Sequence, residues 1–501
     1  MPRLNTPYWL EHAAVAHPAL AGELEADVAV VGAGITGATT ALLLAQAGKK
    51  VVLLDSGEVC SGATGYTTAK LTVGHSLVYG ELADRHGVDV ARRYAASNQA
   101  AIEQVARIVD EHGIECDFER ASNFVYVESG PTDELEREAE AARRAGVAAE
   151  LTTETDLPYP VAGAIRVDGQ AQLHPWKYVA GIVGLAVANG AQVFERTRAT
   201  GVGGSRPYAV ETAGGVVRAE HVVLATQLPF LDRGLHFAKA HPTASYAIAG
   251  EIEAERAPRG MYISVDQPTR SVRSTPGAEG RRIVVVGGEG HKPGEEPRTD
   301  ERYRRLEQFL RERFRVAAAY RWSTHDYVPV DGLPYIGRLT PGREGILVAT
   351  GFAKWGMTKG TLAAGILTDV ILGRPNEDAE LYDATRLDLR RSARTFAKEN
   401  GHVGLAFFRD RVRPRPGRGE IDALGLGEGT VARVGGKQIA AYRDDEGALH
   451  TRSARCTHLG CIVGWNPADR AWECPCHGSR FDALGGLVQG PATADLPSEP
   501  I

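Results

Sequence analysis

The chain has 501 residues, of which 43% are hydrophobic and 24% charged. That excludes collagen-like, disordered and coiled-coil chains and sets an expectation of two to four globular domains. A formal charge of −6 leaves no basic footprint for nucleic acid, and no apolar run approaches the ~18 residues of a membrane-spanning helix. The opening MPRLNTPYWLEH carries no charged stretch followed by an apolar one, so a cytoplasmic setting is expected.

In chain order, residues 1–24 read as an extension. Residues 27–31 (DVAVV) read as a strand, followed by Gly32-Ala33-Gly34-Ile35-Thr36-Gly37, a helix ending near Gly48, and a second strand over 50–54 that ends at Asp55. Helix is predicted at 80–112, strand at 122–128, charged helix at 132–146 and apolar helix at 174–190. Strands follow at 191–199, 207–212, 216–219 and 221–226, then several within 242–290. A helix at 300–317, a strand at 343–350 and a helix at 357–372 close this part. Residues 373–420, with Pro375, Pro414 and Pro416 and many arginines and acids, read as a linker that is partly helical at 383–399. Residues 421–501 read as short strands and glycine-rich turns, a small all-β domain.

Gly32, Gly34 and Gly37 match G-x-G-x-x-G between a strand and a helix, and Asp55 ends the next strand. In that context each residue has a physical task. The first glycine makes the tight turn, and the second lets the backbone approach a pyrophosphate at the helix N-terminus. The third lets helix and strand pack closely, and the acid accepts bonds from a ribose. The run Gly287-Gly288-Glu289-Gly290 also follows a strand, but no apolar helix comes after it, so no second nucleotide site is expected there.

Three segments resemble the D-amino-acid-oxidase-like flavoproteins, which include glycine and sarcosine oxidases. They are the fingerprint at 27–57, the loop SGATGYTTAKLT at 61–72, and WSTHDYVPVDGLPYIG with GFAKWGMTKG within 322–360. The resemblance covers about residues 25–375. It implies FAD, an α/β FAD-binding part interleaved with an α+β substrate part, and oxidation of a C–N bond in a small amine or amino acid. The FAD-binding parts are expected at about 25–78, 150–230 and 320–375, and the substrate parts at about 79–149 and 231–319. Cofactor contacts are expected from Gly32, Ala33, Gly34, Ile35, Thr36, Gly37, Asp55 and Ser56, from Thr64, Gly65 and Thr68, and from Gly351, Lys354, Gly356, Met357 and Thr358. Residues 356–358 open a helix whose positive end would face the flavin, and Lys354 is either a further charge there or a surface lysine. Tyr246, Tyr262, Arg270 and Arg273 lie where the family holds a substrate carboxylate, though a structural role is the stronger expectation for each. His325 and His75 are the nearest acid–base candidates, and no catalytic base is assigned. Cys60 and His75, near the flavin loop, leave covalent attachment open.

Six cysteines are too few for a disulfide scaffold, yet four crowd the C-terminal region, which favours a metal site. They read Cys456-Thr457-His458-Leu459-Gly460-Cys461 and Cys474-Pro475-Cys476-His477-Gly478-Ser479. A zinc finger places both cysteines before both histidines; here each loop brings one of each. The pattern resembles a Rieske [2Fe-2S] domain over residues 421–501, joined by a linker at 376–420. The resemblance implies Cys456 and Cys474 as sulfur ligands and His458 and His477 as nitrogen ligands. It further implies a Cys461–Cys476 disulfide and a Ser479 hydroxyl on a bridging sulfide. Phe481 stands where the respiratory type has a tyrosine donor, so a lower, intermediate potential is expected.

FAD takes two electrons and a Rieske centre carries one, so both in one chain imply a dehydrogenase. It would pass electrons singly to an external acceptor such as a cytochrome, quinone or ferredoxin. The alternatives are a reductase running from cluster to FAD, and a redox sensor or interaction protein. An oxygenase would need a 2-His-1-carboxylate iron site, for which the sequence offers no compact candidate.

Overall fold

A computed structural model describes residues 3–11, 16–387, 395–401, 403–405, 407 and 415–501. Within the segment expected as a linker, residues 395–401 are helical; 388–394 and Pro414 lie outside the described residues.

Strand β1 (Gly22–Val31) is buried at every residue from Val28 to Val31, the pattern of a central parallel strand covered on both faces. It lies between β2 (Val51–Leu54) and β3 (Gly215–Leu224), parallel to both. Gln192–Phe194 extends the sheet beyond β2, and Ile346–Thr350 and Tyr335–Arg338 extend it beyond β3. Helix α1 (Ile35–Gln46) follows β1 directly and is buried at ten of its twelve residues. It packs against α2 (Pro175–Ala188) and α3 (Gly356–Leu372), so its sequence is apolar nearly all round rather than on one stripe. The two strands expected at 216–219 and 221–226 are one, β3, because its register on β1 is the same on both sides of Glu220.

A ten-stranded mixed sheet makes the second layer. Its middle strands are β4 (Ala240–Ile252), β5 (Arg270–Pro276) and β6 (Arg282–His291), with β7 (Tyr320–Pro329) beside β4. The glycine run 287–290 lies in β6. The helix expected over 80–112 is two, Val78–His86 and Val88–His112. Gly87 separates them with φ +93°, a conformation glycine adopts without a Cβ penalty.

Residues 429–501 form two small antiparallel sheets, of three and four strands, around a core that includes Trp472 and Phe481. The start of the preceding segment is anchored to the larger unit. Tyr382 is fully buried, and Arg386 forms a bidentate pair with Asp331 at 2.8 and 3.0 Å. Among the described residues no helix is long and apolar enough to cross a membrane.

Candidate functional site

The turn after β1 is fixed by glycine at three points. Gly32 has φ +103°, and a Cβ there would sit 2.5 Å from the Ala225 carbonyl oxygen; a Cβ on Gly37 would sit 1.8 Å from the Gly32 carbonyl oxygen. Neither contact is possible, so only glycine brings α1 this close to β1 and β3. A Cβ on Gly34 would lie 2.8 Å from Thr64 Oγ1, which also accepts the Ile35 N–H at 3.1 Å. Asp55 accepts the backbone N–H of Ala33 at 2.7 Å and of Gly57 at 2.8 Å. Burial raises its carboxyl pKa, and these two bonds oppose the rise.

A cavity of about 1170 Å³ begins at this turn and runs to the ten-stranded sheet. Of the expected cofactor residues, Gly32, Gly34, Ile35, Thr36, Asp55, Ser56, Thr64, Thr68, Lys354, Gly356 and Met357 line it. The other five stand behind its wall. Ala33 is buried beside Asp55, and Gly37 packs under Gly32. Gly65 is wedged against the Cys60 carbonyl oxygen, and Gly351 against Pro329. The Thr358 hydroxyl bridges the N–H and carbonyl of Thr72, pinning α3 to the loop expected over the flavin. A long cavity with a glycine cradle at a helix N-terminus and an acid at the next strand end fits a dinucleotide.

At the far end stand Lys354, at the mouth of α3, and the pair Tyr246–His291. Lys354 is open to the cavity but surrounded by protein, and desolvation lowers its ammonium pKa. The Tyr246 hydroxyl and His291 Nε2 are 2.9 Å apart, and His291 Nδ1 meets its neighbour's carbonyl at 2.7 Å. With Nδ1–H donated to that carbonyl, Nε2 accepts from the tyrosine. Burial lowers the His291 pKa, which keeps the ring neutral. Sequence reasoning missed His291; its one signal is that it ends the glycine-rich strand.

The other substrate candidates are engaged elsewhere. Arg270 is paired with Glu289 at 2.7 Å. Arg273 is fully buried, its Nη1 donating to the carbonyls of Thr68, Ala69 and Leu173. The Tyr262 hydroxyl donates to Asp156. His75 is buried with Nδ1 2.6 Å from the Tyr94 hydroxyl, and Cys60 is buried with its thiol pKa raised by desolvation. None of these five lines the cavity; His325 does.

The two C-terminal loops come together. The rings of His458 and His477 are 5.0 Å apart, edge to face, and Cys461 and Cys476 are joined by a disulfide that ties the loops. The Nδ1 atoms of both histidines are buried with no hydrogen-bond partner. Orphaned buried nitrogens are costly, and two of them on loops that also bring a buried pair of free cysteines fit metal ligation. The thiols of Cys456 and Cys474 contact each other; that contact, then burial, pushes Cys474 well above an ordinary thiol. Two such thiols ionise together only beside strong positive charge, as a metal centre would supply. Burial and the neighbouring His458 push His477 down to about 3, which leaves the ring neutral, the form able to bind a metal. Ser479 is buried beside Cys456. A compact trio of Cys461, Cys474 and Cys476 sulfurs also occurs, but two of the three are spent in the disulfide.

These loops do not face solvent alone. On β7, alternate residues His325 and Tyr327 reach the second loop. His325 Nδ1 is 3.1 Å from the Gly478 carbonyl oxygen, and the Tyr327 hydroxyl donates to the His477 carbonyl at 2.9 Å. His325 Nε2 is 3.1 Å from Glu473 Oε1. Gly478 has φ +74°, and a Cβ there would meet Pro242 at 2.7 Å, so this close approach also needs glycine. From the loop after β3, Asp232 Oδ1 meets His458 Nε2 at 2.7 Å. Asp469 accepts from Tyr303 and Ser323 and pairs with Arg480. Residues 487–493 of the small domain line the same cavity as Gly32 and Lys354.

Residues 27–370 match the FAD dependent oxidoreductase family, and residues 419–500 match the Rieske [2Fe-2S] domain. A Rieske 2Fe-2S iron-sulfur protein of Bacillus subtilis strain 168, YhfW, is 34% identical over 96% of this chain and 94% of its own length. The gamma-glutamylputrescine oxidoreductase of Escherichia coli K12 is 26% identical over 72% of this chain and 85% of its own length. In fold, the structure of glycine oxidase from Geobacillus kaustophilus overlays 73% of this chain and all of its own, at TM-score 0.62 and 20% identity. The chain therefore belongs to the FAD dependent oxidoreductase family, using FAD, and carries a C-terminal Rieske domain for a [2Fe-2S] cluster.

Proposed function

We propose that this oxidoreductase removes electrons from a small amine or amino acid at FAD and passes them one at a time, through the Rieske cluster, to an external acceptor. The observation that carries the reading is the shared wall: one cavity is lined both by the nucleotide turn and by residues 487–493 of the Rieske domain. When bound, FAD accepts an electron pair and the cluster carries single electrons. The names of the E. coli relative and of the glycine oxidase support an amine or amino acid as donor.

In this reading Gly32, Gly34, Ile35 and Thr36 hold the pyrophosphate at the α1 N-terminus, and Asp55 takes the ribose. Ala33 and Gly37 shape the turn from behind. Ser56, Thr64, Gly65 and Thr68 belong to the loops enclosing the cofactor. Gly351, Lys354, Gly356, Met357 and Thr358 present the α3 N-terminus, with the lysine charge, to the flavin's pyrimidine edge, where reduction places negative charge. Cys456, His458, Cys474 and His477 ligate the cluster. Residues 25–375 form the oxidoreductase unit, 376–420 the connection and 421–501 the Rieske domain.

Amine oxidation asks the protein for positioning and for a deprotonated nitrogen. His291 Nε2, neutral and accepting from Tyr246, fixes the direction of the tyrosine hydroxyl at the cavity wall and so serves the positioning. The acceptor is a one-electron carrier such as a cytochrome, quinone or ferredoxin. The test is an anaerobic visible spectrum of the holoprotein before and after a panel of amines and amino acids. A donor that bleaches flavin and cluster bands supports the reading. Intact bands that no donor changes would overturn it and move the reverse, reductase direction and the redox-sensor reading ahead.

A further inference from the structure

The pairing of Asp232 with His458 crosses 226 residues of sequence and joins the oxidoreductase unit to a cluster ligand. The short segment carrying Asp232 is held on several sides. A turn closes from the Leu235 N–H to the Asp232 carbonyl. The buried Lys239 ammonium donates to the Ala384 carbonyl at 3.1 Å, and Asn400 donates to the Ala238 carbonyl at 2.9 Å. Phe237 sets its ring edge-on to both ligand histidines, with centroids 6.1 Å from His458 and 5.2 Å from His477. The His458 side chain is only 4% exposed, although its outer nitrogen lies on the domain's rim; the Asp232 side chain is 44% exposed.

An imidazole has two nitrogens, and the bond made by one decides what the other can do. Nδ1 of His458 is the buried, unpartnered atom. Nε2 faces a carboxylate, which only accepts, so Nε2 carries the hydrogen and the Nδ1 lone pair is free. We propose that Asp232 is a positioning residue for the cluster. It holds the His458 ring by Nε2 with Nδ1 toward iron, and it sets a negative charge beside the ligand that favours the oxidised cluster. The cluster's potential thus depends on the oxidoreductase unit as well as on the Rieske domain. This rests on His458 being a cluster ligand, and not on the electron donor or the direction of flow.

The experiment uses the full-length holoprotein at one pH, with the oxidised-to-reduced cluster ratio read by EPR at a fixed ambient potential near the parent midpoint. Asp232→Ala is expected to lower that ratio at least threefold, Asp232→Asn to lower it in the same direction, and Asp232→Glu to restore it toward the parent. A smaller change in Asp232→Ala with the cluster loaded overturns the proposal. Should the alanine variant lose its iron, Asp232→Asn decides, because its Oδ1 keeps the acceptor while the charge is gone; an unchanged ratio there overturns it. Loss of iron from the alanine, asparagine and glutamate variants alike also overturns it, since that marks a packing role. A shifted ratio in a protein that no amine reduces would leave Asp232's role standing while the proposed function fails.

Discussion

His325 is the sharpest test of how the two units are joined. It is fully buried, and its two ring nitrogens each lie 3.1 Å from an oxygen of the Rieske domain, Gly478 O and Glu473 Oε1. His325→Leu removes both contacts and leaves a buried carboxylate and a buried carbonyl short of partners. Leaving a buried charged acceptor short of a hydrogen-bond donor costs about 3 kcal/mol or more. Glu473 keeps the Asn466 amide at 2.9 Å and the Gly294 N–H at 3.2 Å, which places the expected loss at the lower end, about 3 kcal/mol. For a small domain with a urea slope of about 1 kcal/mol/M, the midpoint for loss of the cluster's visible circular dichroism should fall by roughly 3 M. His325→Gln, which can still donate one N–H, should lose about half as much. A His325→Leu midpoint within about 0.5 M of the parent would refute the argument that this histidine bears the docking contact.

Two further outcomes follow from buried side chains. Burial holds the Lys359 ammonium down to about 7, so between there and its unfolded value of about 10.4 the unfolded chain binds more protons and stability rises with pH. Lys359→Met should abolish that rise, whose slope is at most about 1.4 kcal/mol per pH unit; urea midpoints at pH 7 and 9 that change equally in parent and variant would contradict it. Phe481 is fully buried in the cluster domain's core and offers no donor, so Phe481→Tyr should raise the cluster's midpoint potential in a redox titration if its hydroxyl reaches a ligand sulfur. No rise would remove the missing tyrosine as the reason for a lower potential.

What could be read from sequence was local. The β1–turn–α1 unit is encoded in a dozen adjacent residues whose glycines have steric tasks. The two Cys-x-His and Cys-x-x-His loops each span a few residues, so ligand spacing survives translation into sequence. Helix ends such as 299–314 and 356–372 lay close to their expected bounds because apolar periodicity stops there. The break at Gly87 was not visible, since a glycine inside a helical pattern is often tolerated. Pairings across the chain were beyond reach. Nothing near Arg273 announces that it will be consumed by carbonyls of residues 68, 69 and 173, or that Asp232 will meet a histidine in another domain. His291 was hidden for the same reason: its partner Tyr246 lies on the neighbouring strand, 45 residues away.

The central claim is that electrons reach the cluster from the flavin inside one docked molecule. Anaerobic stopped-flow with a donor that reduces the flavin, followed at the cluster's own EPR or visible circular dichroism signal, tests it directly. The account predicts that the cluster is reduced at a rate unchanged by tenfold dilution of the protein, because transfer is intramolecular. A rate that falls with dilution, or a bleached flavin beside a cluster that stays oxidised, would contradict it.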